Sequence, residues 1–353
     1  MAMALPVRIP LIQAPMAGVS TPELAAAVSN SGALGSIAIG AATVDAARTM
    51  IERTRALTDK PFNVNVFCHR TPRIDTEREA HWCDHLAPLF ARFRADPPER
   101  LETIYTSFND DAAMQALLCA LRPAVVSFHF GLPPAPVIQA LKKQGITLLA
   151  TATTLAEGRA IESAGIDGVI AQGSEAGGHR GVFEPEYGDA MLGLLPLVRM
   201  LVQGLSIPVI AAGGIMDGAG IDAALAAGAC GVQLGTAFIA CPESSAADTH
   251  RVWLGGAHSF ETVVTSVISG RPARALVNGH TREITSLDVP DYPRTYLAGK
   301  ALTAAASKAG EKDFAVCWAG QGAALSRALP ADKLIERFVD ESRWLGNAFT
   351  SIE

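Results

Sequence analysis

The segment with the clearest chemical content runs from Gln172 to Gly181 and reads Gln-Gly-Ser-Glu-Ala-Gly-Gly-His-Arg-Gly. It follows the apolar run 168–171, which is typical of a short buried strand. Its small residues let the backbone pass close to a flat, bulky ligand, and His179 adds a titratable imidazole beside that backbone. The pattern predicts a cofactor held against this loop, with His179 as the candidate catalytic group. A hydrogen-bonded loop histidine is the alternative.

Polar side chains also mark two of the other predicted strands. In the strand 62–67, Asn63 and Asn65 alternate with apolar residues and therefore share one face. Buried amides without partners are costly, so we expect both to bond a ligand or a neighbouring backbone. His129 lies near the carboxyl end of the predicted strand 125–130, where barrel active sites are found.

Glycines follow the last two predicted strands. Gly213 and Gly214 come directly after the strand 208–212, and Gly235 and Thr236 follow the strand 231–234. The loops after strands seven and eight of a barrel commonly hold a phosphate through backbone N–H groups. These residues therefore predict a phosphate site. The chain has no GxxxxGK[ST] sequence, which argues against nucleoside triphosphate hydrolysis.

Strands and helices alternate along the chain, with apolar runs bounded by glycine, proline and helix-cap residues. The eight predicted strands are 9–13, 32–38, 62–67, 125–130, 146–151, 168–171, 208–212 and 231–234. The predicted helices are 23–31, 43–54, 75–94, 110–121, 136–144, 154–164, 189–203, 219–227 and a closing helix at 332–346. This count predicts a (β/α)₈ TIM barrel. An open doubly wound sheet is the alternative, but no GxGxxG follows the first strand.

The length of 353 residues exceeds the roughly 250 that such a barrel needs. We therefore expect a barrel formed by residues 1–242 and 317–353, with a smaller inserted substrate-side domain at 243–316. Within the insertion, Tyr292, Tyr296 and Lys300 are spaced by four, which would put them on one face of a helix.

Composition narrows the possible partners. The formal net charge is −6 with no basic run, which argues against nucleic acid. No apolar run approaches the ~20 residues of a membrane span. The amino terminus does not resemble a signal peptide, and the six cysteines form no CxxC, so we expect a cytoplasmic protein with reduced thiols. His81 and His85 have a metal-ligand spacing, but without HExxH or an evident third ligand we expect a solvated helix face and no metal.

Four segments, taken together and in order, resemble the motif blocks of class I nitronate monooxygenases, formerly called 2-nitropropane dioxygenases. They are Ala-Pro-Met-Ala-Gly at 14–18, Asn-Val-Asn-Val-Phe at 63–67, Ser-Phe-His-Phe-Gly at 127–131 and Glu-Ala-Gly-Gly-His-Arg-Gly at 175–181. The resemblance extends from residue 9 to about residue 345, nearly the whole chain.

The resemblance implies an FMN-dependent TIM barrel that oxidises alkyl nitronates with O₂ to a carbonyl compound and nitrite, through one-electron transfer to the flavin. Propionate 3-nitronate is the substrate that it suggests. His179 would be the active-site histidine, and His129 a second pocket histidine. Tyr292, Tyr296 and Lys300 would cover the substrate end. By the same resemblance the FMN-lining residues are Met16, Asn65, Gln172, Gly177, Gly178, Gly214, Gln233, Gly235 and Thr236.

Three alternatives remain open from the sequence. An FMN-dependent NAD(P)H:quinone or enoyl-thioester reductase would need a nicotinamide site, and no basic feature is dedicated to one. A barrel with a catalytic cysteine, like inosinate dehydrogenase, would have to use Cys230 or Cys241, which lie outside that family's pattern. A protein that only stores FMN would not need two histidines at strand ends. For Lys300, pairing with a nearby acid is as well supported as binding a substrate carboxylate. The oligomeric state is not indicated.

Overall fold

The computed structural model describes residues 6–285 and 288–345. The amino-terminal residues 1–5, on which the signal-peptide prediction rests, lie outside the described residues. So do residues 346–353, which include the last residue of the predicted closing helix and the end of the predicted barrel domain.

Eight parallel strands form a barrel, and three short strands form a second sheet beside it. The strands are β1 (Leu11–Gln13), β2 (Gly35–Ala38), β3 (Phe62–Phe67), β4 (Val125–His129), β5 (Thr147–Ala152), β6 (Gly168–Gln172), β7 (Gly178–His179), β8 (Val209–Ala212), β9 (Gly231–Leu234), β10 (Thr262–Thr265) and β11 (Ala273–Leu276). The large sheet has the order β1-β9-β8-β6-β5-β4-β3-β2. It closes between β1 and β2, where Gln13 N donates to the Leu34 carbonyl oxygen at 2.9 Å. The predicted (β/α)₈ architecture is confirmed.

Helices follow the barrel strands, and others lie in the segment after the last barrel strand. They are α1 (Pro22–Asn30), α2 (Val44–Leu57), α3 (Thr76–Arg92), α4 (Ala112–Leu121), α5 (Ala135–Lys143), α6 (Leu155–Ser163), α7 (Leu194–Gly204), α8 (Gly218–Ala226), α9 (Thr236–Ile239), α10 (Asp248–Leu254), α11 (Gly279–Glu283), α12 (Arg294–Lys308) and α13 (Ala331–Glu341). Among the described residues, no helix is long and apolar enough to cross a membrane.

Local sequence explains most helix starts. The Thr21 side chain accepts a hydrogen bond from Leu24 N at the start of α1, and Pro22 occupies the first turn, as the cap pattern predicts. The helix predicted at 189–203 is an exception, because α7 begins only at Leu194. Asp189 lies outside the helix since its carboxylate pairs with the buried guanidinium of Arg180 at 2.6 Å.

Alternation along the strands determines what faces the barrel interior. An inner apolar layer fills the barrel and includes Ile12, Val125, Leu149, Ile170 and Ile210. Moving two residues along β4, β5 and β6 brings polar side chains to the same face, nearer the carboxyl ends. These include Ser127, Thr151 and Gln172, which line a cavity at that end. The barrel interior is therefore apolar near its centre and polar near the carboxyl ends of the strands.

A second hydrophobic core lies outside the barrel. It joins α3 to α12 and to residues 267–314 through Trp82, Phe90, Leu302 and other apolar side chains. A buried ion pair between Arg294 and Glu79, 2.5 Å apart, links the same two helices. The charged stretch that contains α3 therefore packs on the segment predicted as an insertion.

Candidate active site

A cavity of about 800 Å³ opens at the carboxyl ends of the barrel strands. All the site residues predicted from the sequence line it: Met16, Asn65, His129, Gln172, Gly177, Gly178, His179, Gly214, Gln233, Gly235, Thr236, Tyr292, Tyr296 and Lys300. The structure therefore brings together residues that are up to 284 positions apart (300 − 16). Of the two cysteines considered from the sequence, neither Cys230 nor Cys241 is among the described residues that line the cavity.

His179 lies on a short strand instead of in a free loop. It pairs with Ala273 of β11 in the antiparallel sheet, and its Nε2 is 2.8 Å from the hydroxyl oxygen of Ser269. Four aromatic rings surround the imidazole. The centroid distances are 5.6 Å for Phe130, 5.5 Å for Tyr292, 6.0 Å for Tyr296 and 5.2 Å for Trp318. The second sheet thus fixes the histidine against an aromatic enclosure.

Burial lowers the pKa of His179 to about 3, and the nearby His129, Arg271 and His69 side chains add to the effect in that order. The imidazole is therefore neutral at physiological pH. A neutral imidazole accepts a proton or a hydrogen bond at one nitrogen and donates at the other. His179 is suited to general-base work and to hydrogen bonding.

His129 and Gln172 both hold the backbone of His179. His129 Nε2 lies 3.1 Å from the His179 carbonyl oxygen, which only accepts, so this nitrogen donates. His129 Nδ1 lies 3.1 Å from the Thr151 hydroxyl. Gln172 Nε2 donates to the same carbonyl at 3.0 Å, and its Oε1 accepts from Gly181 N at 2.7 Å. Burial lowers the pKa of His129 to about 4, which keeps this arrangement neutral.

The two asparagines of β3 bond their neighbours. Asn63 Nδ2 donates to the Ser36 and Ser127 hydroxyls at 3.1 and 3.0 Å, and Asn65 Nδ2 donates to the Ser127 hydroxyl at 2.9 Å and its carbonyl at 3.1 Å. Asn65 thus bonds a neighbouring backbone carbonyl, one of the two modes expected from the sequence, whereas Asn63 bonds side-chain hydroxyls instead. Asn65 also lines the cavity.

Tyr292, Tyr296 and Lys300 converge at one side of the cavity, although only the last two lie on a helix. Tyr292 precedes α12, so the expected single helical face is wrong for this residue. The Lys300 ammonium lies 5.1 Å from the Tyr105 ring centre and 5.2 Å from that of Tyr296. It makes no ion pair with any carboxylate in the described part of the chain, so an acid partner for Lys300 is not present there.

Glycines that follow β8 and β9 also line the cavity. Gly213 and Gly214 have φ values of 129° and 70°, which glycine adopts readily. The Thr236 hydroxyl accepts a hydrogen bond from Gly320 N at 2.9 Å. A Cβ atom on Gly322 would lie 3.0 Å from the Gly214 carbonyl oxygen. Backbone groups from three loops therefore meet closely beside these glycines.

Comparisons with known proteins agree with this geometry. A profile of the nitronate monooxygenase family matches residues 1–341. The chain is 55% identical over 337 residues to the nitronate monooxygenase of Pseudomonas aeruginosa, covering 95% of this chain and 96% of that protein. It is 54% identical over 335 residues to the nitronate monooxygenase of Paraburkholderia phytofirmans, covering 94% and 92%. The chain belongs to the nitronate monooxygenase family.

Solved structures show the same relationship. The nitroalkane oxidase from Streptomyces ansochromogenes superposes with a TM-score of 0.87 at 42% identity over 98% of each chain. FabK from Thermotoga maritima superposes with a TM-score of 0.73 at 29% identity, over 98% of this chain and 96% of that one. The family consists of flavin-dependent oxidoreductases, and this chain is an enzyme that oxidises nitronates. The reductase alternative is not favoured.

Several cavity residues of this nitronate monooxygenase family member were not predicted from its sequence. Tyr105 and Trp318 lie in segments without a helix or strand period, and the pattern gives no signal for them. Gly320 and Gly322 form a Gly-Gln-Gly run, which is a turn signal that could have drawn attention to them. His81 and His85 lie exposed on α3, and no cluster of three or more potential metal ligands occurs among residues 6–285 and 288–345.

Proposed function

We propose that the chain binds FMN and oxidises alkyl nitronates with O₂ to a carbonyl compound and nitrite, with carboxylate-bearing nitronates such as propionate 3-nitronate as preferred substrates. The observation that supports this most strongly is the convergence of the predicted residues on one cavity, whose lining includes both the glycines of the predicted phosphate site and Lys300. Bound FMN would supply the one-electron redox chemistry.

The residues present fit a flavin. Gln233 lines the cavity, and its Oε1 is buried without a hydrogen-bond partner among the described residues. A buried acceptor without a donor is unfavourable, and a ring N–H of the flavin would satisfy it. Gly214, Gly235 and Thr236 would hold the phosphate, since backbone N–H groups without side-chain obstruction suit an anion. Gly177 and Gly178 would let the ring system approach the backbone.

The chain's own groups would bind and orient the substrate. His179, neutral because of its lowered pKa, would hydrogen-bond the nitronate oxygens, and toward a neutral nitroalkane it would act as general base. Burial raises the pKa of both Tyr292 and Tyr296, so their hydroxyls stay protonated and can donate to the substrate. The Lys300 ammonium would meet a substrate carboxylate.

We further propose that residues 1–242 and 317–353 form the flavin-binding barrel and that residues 243–316 form the substrate-side unit. This division is supported by the origin of Tyr292, Tyr296 and Lys300, which all come from the second segment. Because α3 shares a hydrophobic core with that segment, it would stabilise the substrate side from the barrel chain.

The histidine role is tested with His179→Asn, and His280→Gln serves as a matched control. Both histidines have lowered pKa values, but His280 does not line the cavity. We expect His179→Asn to keep its FMN and to lose at least about tenfold in kcat/KM for propionate 3-nitronate, equivalent to about 1.4 kcal/mol. The control should retain wild-type kinetics. A His179→Asn enzyme with unchanged nitrite formation would contradict the proposed role.

A further inference from the structure

Arg271 is a buried cation behind the wall of the cavity. Its side chain is 4% exposed, and its guanidinium carbon lies 4.3 Å from the centre of the Phe130 ring. One guanidinium nitrogen donates to the carbonyl oxygens of Val182 and Phe183. Its Nε has no hydrogen-bond partner among the described residues. The guanidinium is thus held by carbonyl dipoles and an aromatic face.

Two other buried arginines of this protein, Arg180 and Arg294, are paired with carboxylates. Arg180 lies 2.6 Å from Asp189, and Arg294 lies 2.5 Å from Glu79. Arg271 makes no such ion pair within the part of the chain that the structure describes. A buried charge without a counter-ion is unfavourable, and an anion bound in the adjoining cavity would offset part of that cost.

The position of Arg271 relative to the cavity identifies where that anion would bind. The Phe130 ring, which stacks with the Arg271 guanidinium, also contacts three other rings. The centroid distances are 4.5 Å to His129, 5.5 Å to Tyr292 and 5.6 Å to His179. Phe130, which itself lines the cavity, thus contacts both the guanidinium and the other cavity-lining rings. Its backbone has a φ of 74°, which is strained for a non-glycine residue.

Nearby charges shift the pKa values of the buried histidines and of Arg271. Arg271 lowers the pKa of His69, His129 and His179, although burial is the larger cause for each. Arg180 acts on His129 in the same direction. Burial lowers the pKa of Arg271 itself to about 10. The nearby Tyr292, Glu186 and Glu157 act to raise that pKa, and Arg70 acts to lower it.

Neither of the two nearby carboxylates is free to neutralise Arg271. Glu157 accepts hydrogen bonds from the backbone N–H groups of Thr153, Thr154 and Phe183. Glu186 pairs with Arg70 at 3.3 Å. Neither carboxylate forms an ion pair with the guanidinium, so they offset its charge only from a distance.

We propose that Arg271 is a positioning residue that gives this cavity its affinity for an anion, acting through Phe130 on the site beside His179. The bound nitronate supplies the counter-ion that the fold does not provide. This inference rests on the proposed function and adds to it the source of anion selectivity. Because His129 and His179 are neutral at physiological pH, the positive potential in the cavity comes from Arg271 and not from protonated imidazoles.

The test uses nitrate, a planar nitrogen oxyanion that cannot react as a nitronate, as the probe. Its binding to the holoenzyme is followed by the change in flavin absorbance and by competition with propyl nitronate. Removing the charge with Arg271→Met should weaken nitrate binding by about tenfold or more, whereas Arg271→Lys should stay within about threefold of wild type. Because nitrate binding needs no turnover, a failure of the proposed oxidation would be seen separately, as absent nitrite formation by the wild type.

Arg274→Met is the matched control. Arg274 lies on β11, three residues after Arg271. It is 5% exposed and also lacks an ion pair with a described carboxylate. Its charge is not among those that act on His129 or His179. We expect it to leave nitrate affinity near wild type even if it lowers stability.

A pH profile separates an electrostatic role from a structural one. Loss of a positive charge raises the pKa of a nearby histidine, so the acid limb of kcat/KM should move to higher pH in Arg271→Met and stay fixed in Arg274→Met. A folded Arg271→Met enzyme with wild-type nitrate affinity and an unmoved acid limb would overturn the proposal. If Arg271→Met does not fold, Arg271→Lys decides: retained nitrate affinity supports the proposal, and a folded enzyme that has lost it refutes it.

Discussion

Replacing Lys300 with methionine should selectively impair the oxidation of nitronates that carry a second negative charge. The substitution removes the ammonium and keeps most of the side-chain length. In the structure this ammonium lies between the Tyr105 and Tyr296 rings, about 5 Å from each ring centre. It has no carboxylate partner among the described residues. It is therefore available to pair with a substrate carboxylate.

The exposure of Lys300 sets the size of the effect. The side chain is exposed at the edge of the cavity, and ion pairs between exposed groups contribute only about 0.2–1 kcal/mol. At the upper end of that range, losing the pair costs about fivefold in affinity. All nitronates are anions and will lose some attraction. The carboxylate of propionate 3-nitronate should add up to about fivefold to the loss in kcat/KM relative to ethyl nitronate.

The assay compares kcat/KM for propionate 3-nitronate and ethyl nitronate in each variant, at two salt concentrations. Lys312→Met is the matched control, because Lys312 lines the same cavity. Among the described residues, it is the ammonium of Lys300, and not that of Lys312, that makes cation–π contacts with Tyr105 and Tyr296. The control should leave the ratio of the two substrates unchanged. Equal losses on both substrates in Lys300→Met would refute the carboxylate role and leave Lys300 with a structural one.

Two further predictions concern the loop and the buried histidines. A Cβ on Gly177 would lie 2.5 Å from backbone atoms of Ala319 and Gly320, whereas one on Gly178 meets nothing within 4 Å. Gly177→Ala should therefore lower the free energy of unfolding by more than Gly178→Ala, whose left-handed backbone costs about 1–2 kcal/mol; urea titration checks this, and the reverse order would contradict it. Burial lowers the pKa of His280 to about 4 from 6.5, so its stabilisation is complete above pH 6.5 and is lost as pH falls toward 4. His280→Gln should reduce the pH slope of unfolding free energy across that window by about 1.4 kcal/mol per pH unit, and an unchanged slope would argue against a neutral buried imidazole.

The barrel could be predicted from sequence because its determinants are local. Short apolar runs ending in glycine, and caps such as Thr21 before Pro22, fix where strands and helices begin and end. The predicted cavity residues meet because the carboxyl ends of parallel strands share one rim. The rest depends on contacts between distant parts of the chain. His179 lies on a strand only because β11, about a hundred residues later, pairs with it.

The aromatic rings around His179 also depend on contacts between distant parts of the chain, which the sequence pattern does not show. Tyr292 has helical spacing to Tyr296, but it lies before α12 and its ring packs edge-on against His69 at 5.0 Å. Trp318 is brought to the cavity by the second hydrophobic core and by backbone pairing with β11. Tyr105 packs against the rings of Tyr292 and Tyr296 at centroid distances of 6.4 and 6.2 Å. No periodic pattern records such packing, so these residues were found only in the structure.

The most direct test of the central claim is anaerobic mixing of the purified flavoprotein with propionate 3-nitronate and, separately, with NADPH. We expect the visible flavin absorbance to bleach rapidly with the nitronate and not with NADPH, and nitrite to form from the nitronate in air without an added reductant. Rapid bleaching by NADPH with the nitronate inert would contradict nitronate oxidation and would instead indicate a nicotinamide-dependent reductase.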